Sequence, residues 1–576
     1  MSRAQSFPIF VVHFLIAGAV AAAAFAAPRA SAFAAPAASA NKPVPCAPTL
    51  VAIDGRIYTG DPAKPWVEAL AVCDERIVRT GTTAEIEAMA APTTRRLELA
   101  GRTVVPGFND SHVHLVDGGT ELTEVDLRNA KSPQEVAKLI ADFVKTQPKG
   151  RWILGGFWDH ESWPDKTLPT RALIDAVTPD NPVFVQRLDG HMGLANTVAL
   201  KMAGVTRDTP APEGGAIVRD AAGEPTGILK DNATDLVTRL VPPATLDETM
   251  AKARAALKHA ASVGVTTVQD MTASAIELRA YQQLRAQGEL PVRITSHQNH
   301  GIDGLIAAGV TTGFGDDWLR IGGIKLFADG SMGSGTAAFF APYADDPTTS
   351  GLLIQSPAAL EKKVFDADAA GFQVIVHAIG DRANAVVLDI FEKLQQTRGS
   401  RDRRPRIEHA QVVRDADKLR FAKAGVIASI QPSHCIDDMR WAEKRIGPER
   451  VKIAYDFKSF VDAGARISFG TDWFVEPMNP MLGLYAAVTR QFPDGLPPGG
   501  WFPEERLTLQ QAVEFYTAGS AYAEFAESRK GRLLPGYLAD FVVLSKPIFE
   551  IAPRELLSTT PVTTVVGGRV VYEAQK

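Results

Sequence analysis

His112 and His114 sit two residues apart at the polar end of an apolar run, in Pro106-Gly107-Phe108-Asn109-Asp110-Ser111-His112-Val113-His114. On a strand, side chains two apart share a face, so two imidazoles point one way while Val113 packs the other. Neutral imidazole is a good ligand for zinc and similar divalent cations, and two on one rigid edge make half a site. The other half must come from distant parts of the chain. Lys325 lies within Ile321–Ala328, His377 closes Phe372–His377, His409 closes Arg406–His409 and Asp472 closes Arg466–Asp472. One histidine at a strand end is commonly a hydrogen-bonded structural group. A lysine inside an apolar strand is harder to explain, because burying an unpaired ammonium is expensive. All of them falling at one end of successive strands points to a shared mouth. A divalent metal held there lowers the pKa of bound water from about 15.7 to roughly 7 and can polarise a carbonyl. Asp472, within reach of that water, would accept its proton and deliver it to a leaving nitrogen. With only one ion bound, His377 or His409 would polarise the carbonyl instead. The reaction this predicts is hydrolysis of a C–N bond in an amide, formamide or cyclic amide. The alternatives are an ester or phosphoester at the same site, or a non-enzymatic binding protein on the same framework.

The elements that must position these groups alternate. Strand candidates are Thr103–His114, Val263–Asp270, Val292–His297, Ile321–Ala328, Phe372–His377, Arg406–His409, Val426–Gln431 and Arg466–Asp472. Helical patterns such as Leu246–Ser262, Ala359–Ala370, Ala383–Gln396 and Asp415–Ala424 lie between them. Strand and helix in alternation predict an α/β fold, a (β/α)8 TIM barrel with catalytic residues at the C-terminal strand ends. At 576 residues the chain exceeds one ordinary core. Short strands separated by turns recur near residues 49–105 and at Asp540–Leu544 and Val562–Tyr572, the last containing a Gly567-Gly568 hairpin turn. They predict a β-sandwich split between the termini (41–105 and 531–576), with the barrel (106–530) inserted into it. An outsized insertion, about 118–240, follows the first barrel strand and reads as a lid over the mouth. Within it, Trp158 is a candidate wall of an apolar pocket, and His191 with Asp189 a candidate substrate contact. His434, after the seventh strand, should also face the mouth and touch substrate. His297 ends the third strand and has no assigned role.

As a set, Pro106-Gly107-Phe108-x-Asp110-x-His112-x-His114, Lys325 with Asp329-Gly330-Ser331, His377-Ala-Ile-Gly-Asp381, Arg406-Ile-Glu-His409 and Gly470-Thr-Asp472 resemble the amidohydrolase superfamily. More narrowly, they are similar to its branch containing N-substituted formamide deformylases. The resemblance spans nearly the whole chain after residue 40. It implies that His112 and His114 hold the more buried metal and that Lys325, carboxylated by carbon dioxide, bridges two ions. It further implies that His377 and His409 hold the second, and that Asp472 ligates the first and handles the proton. An unmodified Lys325 is a donor only, which would favour one ion or another ligand set.

The formal charge of -5 is small for this length and argues against nucleic acid or an anionic membrane as the main partner. Residues 1–40 have the layout of a secretory signal peptide: Arg3, an apolar stretch Phe10–Ala24, then small-residue patterns such as Ala30-Ser31-Ala32. That predicts export to the periplasm and no membrane anchor once the leader is removed. Export would permit a disulfide between Cys46 and Cys73, leaving Cys435 free. With so few cysteines, any metal must use histidine and carboxylate. The expected cofactor is a divalent cation, zinc first, as one or two ions. The expected partner is a small-molecule substrate, and a homodimer is the commonest form of self-association.

Overall fold

The computed structural model describes residues 46–575, so the expected leader over 1–40 lies outside the described residues. Eight strands form one parallel sheet: β1 (Phe108–Val113), β2 (Val265–Ala273), β3 (Arg293–Gln298), β4 (Leu319–Phe327), β5 (Gln373–Ala378), β6 (Arg406–His409), β7 (Ile427–Ile430) and β8 (Arg466–Phe469). Each pairs with the next in sequence, as a barrel requires. Closure between β1 and β8 runs through the segment after β8. His112 O accepts from Asp472 N at 2.7 Å, and Trp473 O accepts from His114 N at 2.6 Å. The chain segment that closes the ring therefore carries Asp472 to the two imidazoles.

The helices around it are α1 (Leu115–Glu121), α2 (Leu246–Ser262), α3 (Ala275–Ala286), α4 (Pro357–Ala369), α5 (Asp381–Arg398), α6 (Asp415–Ala424) and α7 (Pro432–Asp438). In α2, a reciprocal cap fixes the start: Thr245 Oγ1 accepts from Glu248 N, and Glu248 Oε2 accepts from Thr245 N at 2.8 Å. Its Ala253, Ala256, Leu257, Ala260 and Ala261 are buried, one face of a 3.6-residue repeat.

The expected first strand, Thr103–His114, is two strands in two sheets. Thr103–Pro106 pairs antiparallel with Phe541–Leu544, and β1 begins at Phe108. Gly107 is the changeover. Its N–H donates to Asp540 O at 2.9 Å, while a Cβ there would come within 2.2 Å of Thr266 Oγ1. Strands from both ends of the chain share a six-stranded sheet in the order Arg569–Glu573, Pro561–Val566, Phe541–Leu544, Thr103–Pro106, Arg56–Tyr58, Trp66–Val67. A four-stranded sheet of Arg76–Gly81, Ala69–Cys73, Leu50–Ile53 and Arg95–Glu98 lies with it around a shared apolar core. Cys46 and Cys73 are disulfide-bonded, and Cys435 is free and buried.

Between β1 and α2 the insertion builds a sheet of its own, six strands running Gly215–Arg219, Pro225–Asp231, Met192–Ala195, Phe184–Arg187, Gly155–Trp158, Val125–Asp126. Trp158, Trp163, Ile174 and Val185 fill its core. Among the described residues, no helix is long and apolar enough to cross a membrane.

Candidate metal centre

The barrel interior is polar where a buried parallel sheet is ordinarily apolar. Arg406 and Glu408, both on β6, are fully shielded and paired, with Arg406 Nε 2.8 Å from Glu408 Oε1. Arg406 also donates to Gln269 Oε1 at 2.6 Å, Ser111 O at 2.7 Å and Ser429 Oγ at 3.0 Å. The other Glu408 oxygen lies 2.5 Å from His112 Nδ1. That bond places the imidazole proton on Nδ1 and turns the Nε2 lone pair to the mouth, the usual way a ligating histidine is oriented.

His112 Nε2 and His114 Nε2 each lie 3.2 Å from Asp472 Oδ1. Two imidazole nitrogens and a carboxylate oxygen converging this closely are a donor set for a divalent cation. Burial pushes the Asp472 carboxyl up, but His112, His114 and His409 outweigh it and hold it well below the usual range. It is a carboxylate in the folded protein. Asp110, beneath it, accepts from Thr471 N at 2.9 Å and Thr471 Oγ1 at 2.6 Å and so fixes the turn. Asp472 and His409 both sit in the left-handed backbone region, at φ +60° and +72°. Non-glycine residues held there cost energy and cluster at functional sites.

A second group of donors is His409, His434 and Asp472. The Asp472 Oδ2 atom lies 3.6 Å from His434 Nε2, and the two histidine rings stack at 5.9 Å. His409 Nδ1 bonds Gln431 Oε1 at 2.9 Å, which leaves its Nε2 lone pair for a cation. His377 packs its ring 4.5 Å from that of His409, but its Nε2 donates to Gly330 O at 3.1 Å. Its Nδ1 alone remains as a ligand atom. His434, expected as a substrate contact at the mouth, lines the cavity and also stands beside Asp472.

Lys325 is 1 % exposed and lines the same cavity, with Nζ 4.8 Å from the Phe327 ring centre. Among the described residues, its amine has no hydrogen bond or ion pair. Burial pulls its pKa down to about 8 against the upward pull of Glu408 and Asp472. An unpaired buried amine beside carboxylates and imidazoles fits a group completed by a metal or by modification. The whole donor set, histidines with carboxylate and lysine, fits a divalent metal.

The cavity above is about 240 Å³. From the lid it receives His191, whose Nδ1 bonds Asp231 Oδ1 at 2.7 Å and whose ring stands 5.0 Å from that of His377. Asp189 ties lid to barrel: it accepts from Arg187 at 2.6 Å, Ser331 Oγ at 2.5 Å and Ser334 Oγ at 2.8 Å. Trp158 is placed elsewhere. It is fully buried in the lid core with Nε1 donating to Val185 O at 3.0 Å, and the cavity's aromatic walls are Phe327, Trp441 and Phe474. His297 is buried in the barrel behind Gly322, and among the described residues neither ring nitrogen has a partner. Glu408 is not among the site residues that the sequence motifs single out. The signal was present: two charges alternating along a four-residue buried strand must pair inside the barrel.

Several known proteins are similar to this chain along most of its length. The chain is 37% identical over 545 residues to "Protein LONG AFTER FAR-RED 3" of Arabidopsis thaliana, covering 91% of each. It is 33% identical to the putative amidohydrolase YtcJ of Bacillus subtilis, covering 90% of this chain and 98% of that one. To the N-substituted formamide deformylase of Arthrobacter pascens it is 28% identical, covering 91% and 98%. An uncharacterized metal-dependent hydrolase from Pyrococcus horikoshii superposes with a TM-score of 0.72 at 30% identity, over 88% of this chain and 99% of that one. With residues 97–572 matched by the family's sequence profile and the donor set at the barrel mouth, the chain belongs to the amidohydrolase family.

Proposed function

We propose that this hydrolase cleaves a non-peptide C–N bond, in a small amide, formamide or cyclic amide. The observation that carries the reading is the convergence of His112 Nε2 and His114 Nε2 on Asp472 Oδ1 at the floor of a cavity walled by the lid. His112, His114 and Asp472 would hold one divalent ion, zinc by preference for this donor set, and His409 with His377 or His434 a second. Lys325, carboxylated, would join them. Such a metal supplies Lewis acidity and brings the pKa of water to about 7.

The chain's own groups do the rest. Asp472, held ionised, takes a proton from the attacking water and returns it to the departing nitrogen. His191, anchored by Asp231, lies beside His377 at the cavity wall and donates to the substrate oxygen as charge develops there. The lid excludes bulk water, which strengthens both effects. Support for a C–N bond comes from the name of the Arthrobacter relative. We also propose that residues 1–40 direct export to the periplasm. The disulfide-bonded Cys46 and Cys73 suit an oxidising compartment.

The test is a panel of formamides, N-acyl amino acids, carboxylic esters and phosphotriesters, with metal content measured on the same preparation. The reading expects bound divalent metal and turnover of amides or formamides above the esters, abolished in His112→Ala. Turnover confined to esters or phosphotriesters, or none lost in His112→Ala, overturns it. Fractionation of cells with N-terminal sequencing of the mature chain tests the export proposal.

A further inference from the structure

Glu476 lines the cavity and is only 8 % exposed, yet among the described residues its carboxyl makes no hydrogen bond and no ion pair. It stands four residues beyond Asp472, on the loop after β8. The two guanidiniums that act on it are engaged elsewhere. Arg128 donates to Glu121 Oε1 at 2.8 Å, to Val475 O at 2.8 Å and to Phe474 O, clamping the loop's backbone rather than its carboxyl. Arg440 donates to Asp437 Oδ1 at 2.6 Å and to Asp159 Oδ2 at 3.3 Å. Asp437 and Asp438 line the same cavity. Asp438 accepts from Gln411 Nε2 at 2.9 Å and from the Tyr455 hydroxyl through one oxygen, leaving the other open. Burial, then Asp437, push the Glu476 carboxyl well above its ordinary range, as expected of an acid lacking its counter-charge.

The indole of Trp441, 3 % exposed, stands in the same cavity wall. Buried polar groups are nearly always paired, so a shielded carboxyl at a cavity wall that has no partner among the described residues waits on a donor. Among the described residues, the three acids are not a trio close enough to cage a metal ion. An aromatic wall beside carboxylates is instead the way proteins hold organic cations.

The geometry points to a specificity subsite in which Glu476 receives a primary ammonium or guanidinium group of the substrate, with Asp437 and Asp438 adding charge and Trp441 an aromatic wall. This rests on the hydrolase reading above and narrows it. The substrate is a small amide or formamide with a basic end, such as a singly acylated alkyl diamine. The cavity of about 240 Å³ sets the size.

Two measurements on the metal-loaded, full-length mature protein test it separately from the reaction. Calorimetry compares hexylammonium chloride with 1-hexanol at pH 7, in wild type and in Glu476→Gln. Hydrolysis compares N-(5-aminopentyl)formamide with N-hexylformamide. The subsite expects hexylammonium to bind wild type at least tenfold tighter than hexanol, and the preference to vanish in Glu476→Gln with hexanol binding and the melting temperature unchanged. It expects the KM of the aminopentyl compound to rise about tenfold in the variant while that of the hexyl compound holds. Should Glu476→Gln misfold, Trp441→Leu, which removes the aromatic face, must weaken hexylammonium at least threefold more than it weakens hexanol. Equal binding of ammonium and alcohol to wild type, or a preference unmoved in the variants, overturns the subsite while leaving the reaction standing. Ammonium binding that depends on Glu476 without turnover of either formamide keeps the subsite and overturns the proposed reaction.

Discussion

Glu408 Oε2 lies 2.5 Å from His112 Nδ1, and neither side chain is reached by solvent. Burial pushes the Glu408 carboxyl up, but Arg406 and His112 more than reverse it and keep it ionised. The pair is a lever: the charge on β6 decides which nitrogen of His112 faces the mouth.

Removing that charge should loosen the metal without opening the barrel. In Glu408→Gln, metal affinity is expected to fall about 10- to 100-fold, as for other partners of ligating histidines. A competition titration with a chromogenic chelator measures this, with circular dichroism confirming the fold. Unchanged affinity would remove the orienting role.

Lys325→Met keeps length and apolar bulk while deleting the amine. If Lys325 is carboxylated and bridging, the variant loses one ion, retains the other and hydrolyses nothing. Elemental analysis of metal per chain reads this directly. A variant that keeps both its metal and its activity shows Lys325 to be dispensable.

Acid should weaken the lid through His160. Burial, then Arg187 and Arg445, pull its pKa down to about 2. The unfolded chain takes a proton there near pH 6.5 and the folded chain does not, so stability is complete above pH 6.5 and lost as pH falls below it. The loss is at most about 1.4 kcal/mol per pH unit, or roughly 2 kcal/mol at pH 5. His160→Gln should melt with a smaller drop between pH 7 and pH 5 than wild type. An equal drop in both proteins would assign the acid sensitivity to other groups.

Asp189→Asn breaks the point where lid and barrel loop meet. Arg187 keeps Asp159 at 2.6 Å, so the fold should survive. The loss falls on closure: KM is expected to rise about tenfold, with kcat reduced less. Steady-state kinetics on one turned-over formamide tests it, and an unchanged KM would mean that the lid seats without this contact.

Much of this site is legible in the chain because its parts are local. His112 and His114 share a face by strand periodicity alone, and Leu246–Ser262 announces itself by its Thr245/Glu248 cap. Long-range relations are not local. The pairing of Thr103–Pro106 with Phe541–Leu544 cuts an apolar run in two, and Pro106-Gly107 marks a break there without saying which sheet either half joins. The lid's strands are as short as Val125–Asp126 and carry glycines at Gly155 and Gly156, too brief for alternation to declare itself. Trp158 shows the limit for single residues: aromatic bulk fits a pocket wall or a core equally well, and here the core took it. His434 lies by Asp472 because α7 follows β7 at once, a matter of loop length more than of motif.

The sheet shared by the two ends imposes an order on biosynthesis. Thr103–Pro106 leaves the ribosome early, but its neighbour Phe541–Leu544 emerges only when nearly all of the chain has been made. Until then one edge of the nascent sheet stands open, the condition under which strands find wrong partners. A ribosome stalled after the last barrel strand, Arg466–Phe469, but before Phe541 would leave a barrel able to form beside a half-built sheet, so a premature stop codon near the end should yield aggregates rather than a trimmed enzyme.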